Sequence, residues 1–355
     1  MNITNATINI TTTPLFITYR IGFAVWFWVM LSLCIVGTIL NLLMIYIILS
    51  SAKLRVGSGI LIVHLLAVLT SLCAVHMLLL SVSTYFYAPY QTLSSNFCVY
   101  STWLYYACLD SVNWSSLLIG INRFVAIFFP TKYPLMIRNN VIATMIILSW
   151  MICFACCSQI LAGHGGWYGS TKPWGTCGMV NPNSDFAIIT AFAVTIPLTI
   201  LGILYLAIFI GVAVKNYFDR KKILDGEHTK TKDGKGQAHK LFERRYHSAK
   251  VLFVSYLWYI ACLLPAPIAL SVYPASYSRI PLLSPIMRAV LLCGYATIPL
   301  IFLMMNMEYR RRLSNMARLL GRQLGIRPEV THERTAEFAT VAPGVHSTMR
   351  AHSED

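Results

Sequence analysis

Charge is what this chain has least of. Only 12% of its 355 residues are Asp, Glu, Lys or Arg, against 57% apolar residues. A soluble domain carries about 25% charged and about 45–50% apolar residues, so the deficit is roughly twofold. Low charge excludes a disordered chain, and an ordinary soluble domain could not present so apolar a surface. Acidic residues are the scarcest: 13 against 28 Lys plus Arg, a net +15. A basic excess of that size ordinarily points to nucleic acid, unless the charges follow another rule. Other features are missing too. No ten-residue segments of alternating hydrophobicity occur, which argues against a membrane β-barrel. No basic segment followed by a short apolar core opens the chain, so the first long apolar run is expected to act as the targeting signal.

What is present is a set of long apolar runs. Ile21–Leu49 and Phe186–Val214 each hold 29 residues without a charge, Val251–Val272 holds 22 and Val141–Leu161 holds 21. Crossing a bilayer takes about 20 such residues. Three more runs are apolar with isolated polar residues: Gly57–Phe86 with His64 and His76, Phe97–Phe129 with Asp110 and Arg123, and Leu282–Met307 with Arg288. Turn-forming clusters fall between the runs, which predicts seven membrane-spanning helices.

The basic residues then find their rule. Counting Arg123 at the end of span three, the segments after spans one, three and five and the tail after span seven hold 24 of the 28 Lys and Arg. The positive-inside rule places those segments in the cytosol and the N-terminus outside. Three glycosylation sequons, at Asn2, Asn5 and Asn9, fit an outside N-terminus; Asn113-Trp-Ser matches the pattern but falls within a span. Eight of the ten cysteines lie inside spans. Cys98, at the outer start of span three, and Cys177, between spans four and five, are the two that reach the oxidising side, so they are expected to pair. Cys153, Cys156 and Cys157 suggest a metal spacing, but small polarizable packing residues are the expected reading. The predicted organisation is an outside, glycosylated segment 1–20, a seven-helix domain 21–306, an amphipathic helix 307–321 and a disordered cytosolic tail 322–355. In the helix 307–321, Tyr309, Leu313, Met316 and Leu320 recur at helical spacing opposite Arg310, Arg311, Arg312 and Arg318, with Arg322 just beyond, as in a helix lying on the inner leaflet. The segment Asn216–His247 reads as a flexible basic linker.

Single residues in each span now carry a resemblance. Span one has Gly37-Thr-Ile-Leu-Asn41. Span three ends Asn122-Arg123-Phe124-Val-Ala-Ile-Phe-Phe-Pro130, with Arg123 25 residues after Cys98. Span four has Trp150, and span five has Pro197 with Tyr205 eight residues on. Span six has Cys262-Leu-Leu-Pro265, and span seven has Ile298-Pro299-Leu-Ile-Phe302. In order and spacing the chain resembles the rhodopsin-like (class A) family of G-protein-coupled receptors. The resemblance implies an all-α seven-transmembrane bundle that is not an enzyme and needs no cofactor. It implies an extracellular ligand, a heterotrimeric G protein as partner, and arrestin at a phosphorylated tail. It also implies coupling through Asn122, Arg123, Phe124, Tyr205, Pro265, Pro299 and Phe302. In the family the arginine is released on activation and meets the G protein and the span-five tyrosine. A competing reading has Arg123 snorkelling to lipid headgroups. A multi-span transporter is the alternative for the whole chain, but no inverted repeat and few intramembrane charges support it.

The departures from the family are specific. The span-two acid that helps bind sodium falls on Leu69, so no sodium site is expected. Asn122 stands where the family has an Asp, Leu263 replaces its Trp, and Ile298 and Phe302 replace its span-seven Asn and Tyr. These losses lead us to expect a weakly held inactive state. The ligand pocket of the family maps onto Tyr105, Tyr106, Leu109, Asp110, Asn113 and Arg288. Tyr105 replaces the acid of amine receptors, and Leu292 replaces the retinal lysine, so neither a biogenic amine nor retinal is expected. Arg288 matches an anionic ligand group through its bidentate guanidinium; snorkelling outward and pairing with Asp110 are the alternatives.

Overall fold

The computed structural model describes residues 13–52, 54–55, 58–87, 94–171, 176–180, 182–224, 232–273, 280 and 282–323. Asn2, Asn5, Asn9 and the tail beyond residue 323 lie outside these. The chain divides into two compact units, Met1–Leu313 and Ser314–Asp355, and the bundle belongs to the first.

Seven helices among the described residues are long and apolar enough to cross a membrane. They are Arg20–Leu49, Ser58–Phe86, Ser95–Phe128, Asn139–Leu161, Ser184–Val214, Ala249–Ala269 and Leu283–Met305, here spans one to seven. Each matches its predicted run to within about three residues at either end, because hydropathy and the bilayer thickness set the same limits. Span three has the lowest mean hydropathy of the seven, 1.2, yet half of its most apolar window is buried. That combination marks the central helix: its polar residues face protein, and its packing partners are spans two, four, five and six. A side chain cannot hide a polar group in hydrocarbon, so polar residues turn inward.

The helices approach closely where side chains are small. A Cβ on Gly37 would sit 2.9 Å from the Ala296 Cβ and 2.9 Å from the Cys73 Sγ. Span one therefore packs against spans two and seven at a glycine, as expected where membrane helices touch. Trp26 Nε1 fixes the same pair by donating to the Pro285 carbonyl at 2.8 Å.

Three segments depart from regular α-helix. Leu72–His76 and Ser83–Tyr87 in span two, and Ala191–Thr195 in span five, are π-helical turns. Hydropathy is blind to them, since one extra residue in a turn leaves an apolar run apolar. The glycine-rich connection after span four contains a hairpin, with β1 (Trp167–Thr171) antiparallel to β2 (Thr176–Val180) and Ser170 opposite Cys177. Gly163, Gly165 and Gly166 all have positive φ just before it, which only glycine adopts freely. The linker expected over Asn216–His247 is shorter than predicted: helix continues to Leu224 and resumes at Lys232. Residues 232–247 are rich in Lys, Arg, Gln, Ala and Glu, good helix formers that outweigh their two glycines. After span seven a helix runs Met307–Gln323; Tyr309 is buried while Arg310 and Arg311 are exposed.

His64 joins three spans. Trp150 Nε1 donates to His64 Nε2 at 2.9 Å, and His64 Nδ1 lies 3.1 Å from Ser115 Oγ. Indole can only donate, so Nε2 carries no proton and Nδ1–H donates to the serine. The imidazole is therefore neutral and in one tautomer. His64→Leu leaves the indole N–H and the serine unpartnered at a cost of about 1–3 kcal/mol. The expected result is a thermal midpoint several degrees lower for the purified protein, with Trp150→Phe giving a smaller drop in the same assay. Equal midpoints for all three proteins would refute this role.

Candidate functional site: a cavity and an arginine at opposite ends of the bundle

Prolines dictate part of the interior. A proline removes the N–H that would bond the carbonyl four residues earlier, and in a bilayer no water replaces it. Pro197 frees the Ala193 carbonyl, and Asn113 Nδ2 of span three donates to it at 3.4 Å. Pro299 frees the Tyr295 carbonyl, and Asn41 Nδ2 of span one reaches it at 3.4 Å while also donating to Gly37 at 2.8 Å. At Pro265 the helix is interrupted at Leu264 and restarts. Asn113 has a second role: its Oδ1 accepts from the Tyr259 hydroxyl at 2.9 Å. One buried amide thus holds spans three, five and six together, with the Tyr295 ring of span seven 6.1 Å from that of Tyr259.

At the end of the bundle that carries the hairpin lies a cavity of about 740 Å³. Spans two, three, five, six and seven and strand β2 enclose it. Of the predicted ligand residues, Tyr105, Tyr106, Leu109 and Arg288 line it. Asp110 and Asn113 do not. Asp110, 4% exposed, faces span four, where the Cys157 thiol donates to its Oδ2 at 3.3 Å. Asn113 lies deeper, in the network just described. Asp110 and Arg288 are not a pair: Arg288 Nη2 donates to the backbone carbonyl of Cys177 at 3.3 Å. Cys177 is bonded to Cys98, as expected, with 5.0 Å between their Cα atoms. The disulfide anchors β2 to span three, and β2 supplies Cys177 and Gly178 to the cavity wall.

Several lining residues were not foreseen. Span two contributes Val75 and Leu79, and span five contributes Thr190, Val194 and Leu198; His76, a lone histidine that sequence position allowed at the pocket's outer end, lines it too. The π turns re-aim both helices, so counting along the sequence misses them. His76 is spoken for by Cys108, 3.4 Å away. Outside the spans, Tyr168 of β1 stacks on Tyr106 at 5.8 Å and its hydroxyl reaches the Cys157 carbonyl at 3.4 Å. Burial, followed by the neighbouring Cys157, pushes its phenol well above the usual range. Among the described residues no group of three His, Cys, Asp or Glu is placed to hold a metal ion. Cys153 and Cys157 are buried packing residues of span four.

The opposite end is organised around the end of span three. Asn122 is fully buried, and neither atom of its amide finds a hydrogen-bond partner among the described residues. The Arg123 charge acts on the buried hydroxyls of Tyr205 and Tyr309. Burial pushes the Tyr309 phenol up, with Arg123 opposing. Tyr205 packs on Phe253 and Tyr256, with ring centroids 5.6 and 5.7 Å away. Phe124 packs on Phe128 at 4.7 Å, and Phe302 is buried.

A bundle of this shape, with a cavity at one end and an arginine among tyrosines at the other, defines a seven-helix membrane receptor. The family model described as 7 transmembrane receptor (rhodopsin family) matches residues 40–302, and the chain belongs to that family. The crystal structure of squid rhodopsin superposes with a TM-score of 0.68 over 84% of this chain and 87% of that one, at 15% sequence identity. That likeness concerns the fold; span seven here has no lysine, so it lacks the amine a retinal Schiff base needs. No curated protein sequence matches the chain.

Replacing Asn113 with Leu removes a donor and an acceptor from the core. The expected loss is about 1–3 kcal/mol, read as a lower thermal midpoint. Pro197→Ala restores the backbone N–H at that position. Combined with Asn113→Leu it should therefore lower the midpoint less than the two separate effects added together. A strictly additive cycle would show that the Ala193 carbonyl does not matter.

Proposed function

We propose that this chain is a plasma-membrane receptor with its N-terminus outside, activated by an anionic extracellular ligand held at Arg288. It passes the signal to a heterotrimeric G protein at the cytosolic end of spans three, five and six. The observation that carries the ligand half is Arg288: among the described residues it is the one Lys or Arg lining a cavity without an acidic wall residue, and its partner is a carbonyl. A guanidinium so placed retains donors for a carboxylate or phosphate. Membership of the rhodopsin family supports the G-protein half. The 24 Lys and Arg on one side of the membrane support the orientation. In this reading Tyr105, Tyr106 and Leu109 contact ligand, and Asp110 and Asn113 act through packing. Asn122, Arg123, Phe124, Tyr205, Pro265, Pro299 and Phe302 serve coupling. Asn2, Asn5 and Asn9 carry glycans, the Met307–Gln323 helix rests on the inner leaflet, and the tail engages arrestin after phosphorylation.

Nucleotide exchange on a panel of purified G proteins tests the receptor reading. The reconstituted protein should accelerate exchange on at least one of them, and Arg123→Ala should abolish the effect at equal expression. Solute flux in proteoliposomes without exchange would favour a transporter instead.

The unpartnered amide of Asn122 supports a second element. Position 122 is an amide, so the acid that precedes this arginine in the family, and would help hold the inactive state, is replaced here by a neutral side chain. Second-messenger output without ligand should therefore stand above that of mock-transfected cells, and Asn122→Asp should lower it. A flat baseline in cells that still respond strongly to ligand would contradict this.

A further inference from the structure

We infer that the ligand is an anionic amphiphile: a single acidic head on Arg288 and one long apolar body filling the cavity below it. This rests on the reading that the cavity is the receptor's ligand site, and it adds the chemical class.

Size gives the first constraint. About 740 Å³ lies in the range of sites that enclose a whole drug-sized molecule, far more than a carboxylate or phosphate occupies alone. A small inorganic or short-chain anion would leave most of the wall without contact. The wall gives the second constraint. Leu79, Leu109, Val194, Leu198, Ile260 and Leu291 line it, and among the described residues no Asp, Glu or Lys does. Much of its polar complement is already used by the protein. The Tyr256 hydroxyl donates to the Leu198 carbonyl at 3.1 Å, Ser101 Oγ donates to the Phe97 carbonyl at 2.6 Å, and His76 faces Cys108. Their protons are committed, which leaves isolated neutral hydroxyls, Thr102 Oγ1 among them, on a wall that is mostly apolar. A sugar, a nucleotide or a peptide with several charges would bury polar groups there without partners.

Charge gives the third constraint. Arg288 is half-buried and spends one donor on the Cys177 carbonyl at 3.3 Å. The guanidinium has five donors in a planar fork. A single oxyanion can share it with the carbonyl, and among the described residues the cavity wall offers no second cation for a doubly anionic ligand. One acid and one apolar body are what such a cavity satisfies. A carboxylate and a phosphate monoester both meet that description, so the head is settled by experiment.

The test is direct binding to the full-length receptor in phosphatidylcholine nanodiscs, without G protein, after subtracting uptake by empty discs. The probe is radiolabelled oleate; the competitors are oleoyl lysophosphatidate, oleyl alcohol and butyrate. Saturable oleate binding is expected, displaced by unlabelled oleate or by the lysophosphatidate. The better competitor of those two identifies the head as carboxylate or phosphate. Oleyl alcohol, which has the chain without the charge, and butyrate, which has the charge without the chain, should compete at least about tenfold less well. Arg288→Gln should weaken binding about tenfold or more, and Arg288→Lys by less. If Arg288→Gln does not fold, the acid–alcohol comparison on the wild-type protein decides. Equal competition by oleyl alcohol overturns the anionic head. Equal competition by butyrate overturns the long body. No saturable binding of oleate or of labelled lysophosphatidate overturns the ligand class altogether. Because the assay contains no G protein, failure here leaves the receptor reading standing, and failure of nucleotide exchange leaves this one standing.

Discussion

A carbonyl in hydrocarbon that has lost its backbone donor must be met by something else, and much of this bundle is arranged around that requirement. The prolines of spans five and seven each free one carbonyl. In both cases an asparagine from a neighbouring span supplies the missing N–H: Asn113 for Ala193 and Asn41 for Tyr295. An asparagine inside a membrane helix is expensive unless paired, and a proline there is tolerated only if its freed carbonyl is satisfied. Each solves the other's problem, and the pairing fixes which helices are neighbours. Asn113 extends the arrangement by accepting from Tyr259. A polar link therefore runs from span five through span three to span six, at a depth between the cavity and Arg123.

The position of that link relates the two ends. Tyr256, one turn before Tyr259, lines the cavity and also touches Tyr205, which feels the charge of Arg123. A ligand that shifts spans five and six bears on the same two helices whose inner ends surround the arginine. Coupling of this kind needs an element with two discrete arrangements. An asparagine shared by a distorted helix and a tyrosine from another span is such an element in physical terms: it can be moved only by exchanging hydrogen-bond partners.

The spans were legible because bilayer thickness and apolar run length impose one answer. So was the Cys98–Cys177 bond, since the topology leaves two cysteines on the oxidising side. Arg288 stood out as a rare charge, and it lines the cavity. Asp110 stood out for the same reason, yet it faces Cys157 of span four. A single sequence gives a helical residue's height in the membrane more readily than its azimuth, and azimuth separates a pocket wall from a helix contact. The hairpin at Trp167–Val180 was read only as a glycine-rich connection, because five-residue strands with polar residues carry little periodicity. The extension of helix beyond Asn216 was hidden by charge: Lys, Arg and Glu that look like a solvated linker are also strong helix formers.

The π turns bear on how such receptors diverge. Each adds one residue without adding a turn, which rotates everything beyond it by about 100°. Span two contains two of them and span five one. A single inserted codon can therefore present a different wall to the ligand while the ends of the helix stay where they were. Residue counts from a fixed anchor cease to be a ruler past Leu72 and Ala191, and relatives lacking these turns would set differently numbered side chains at the same place in space.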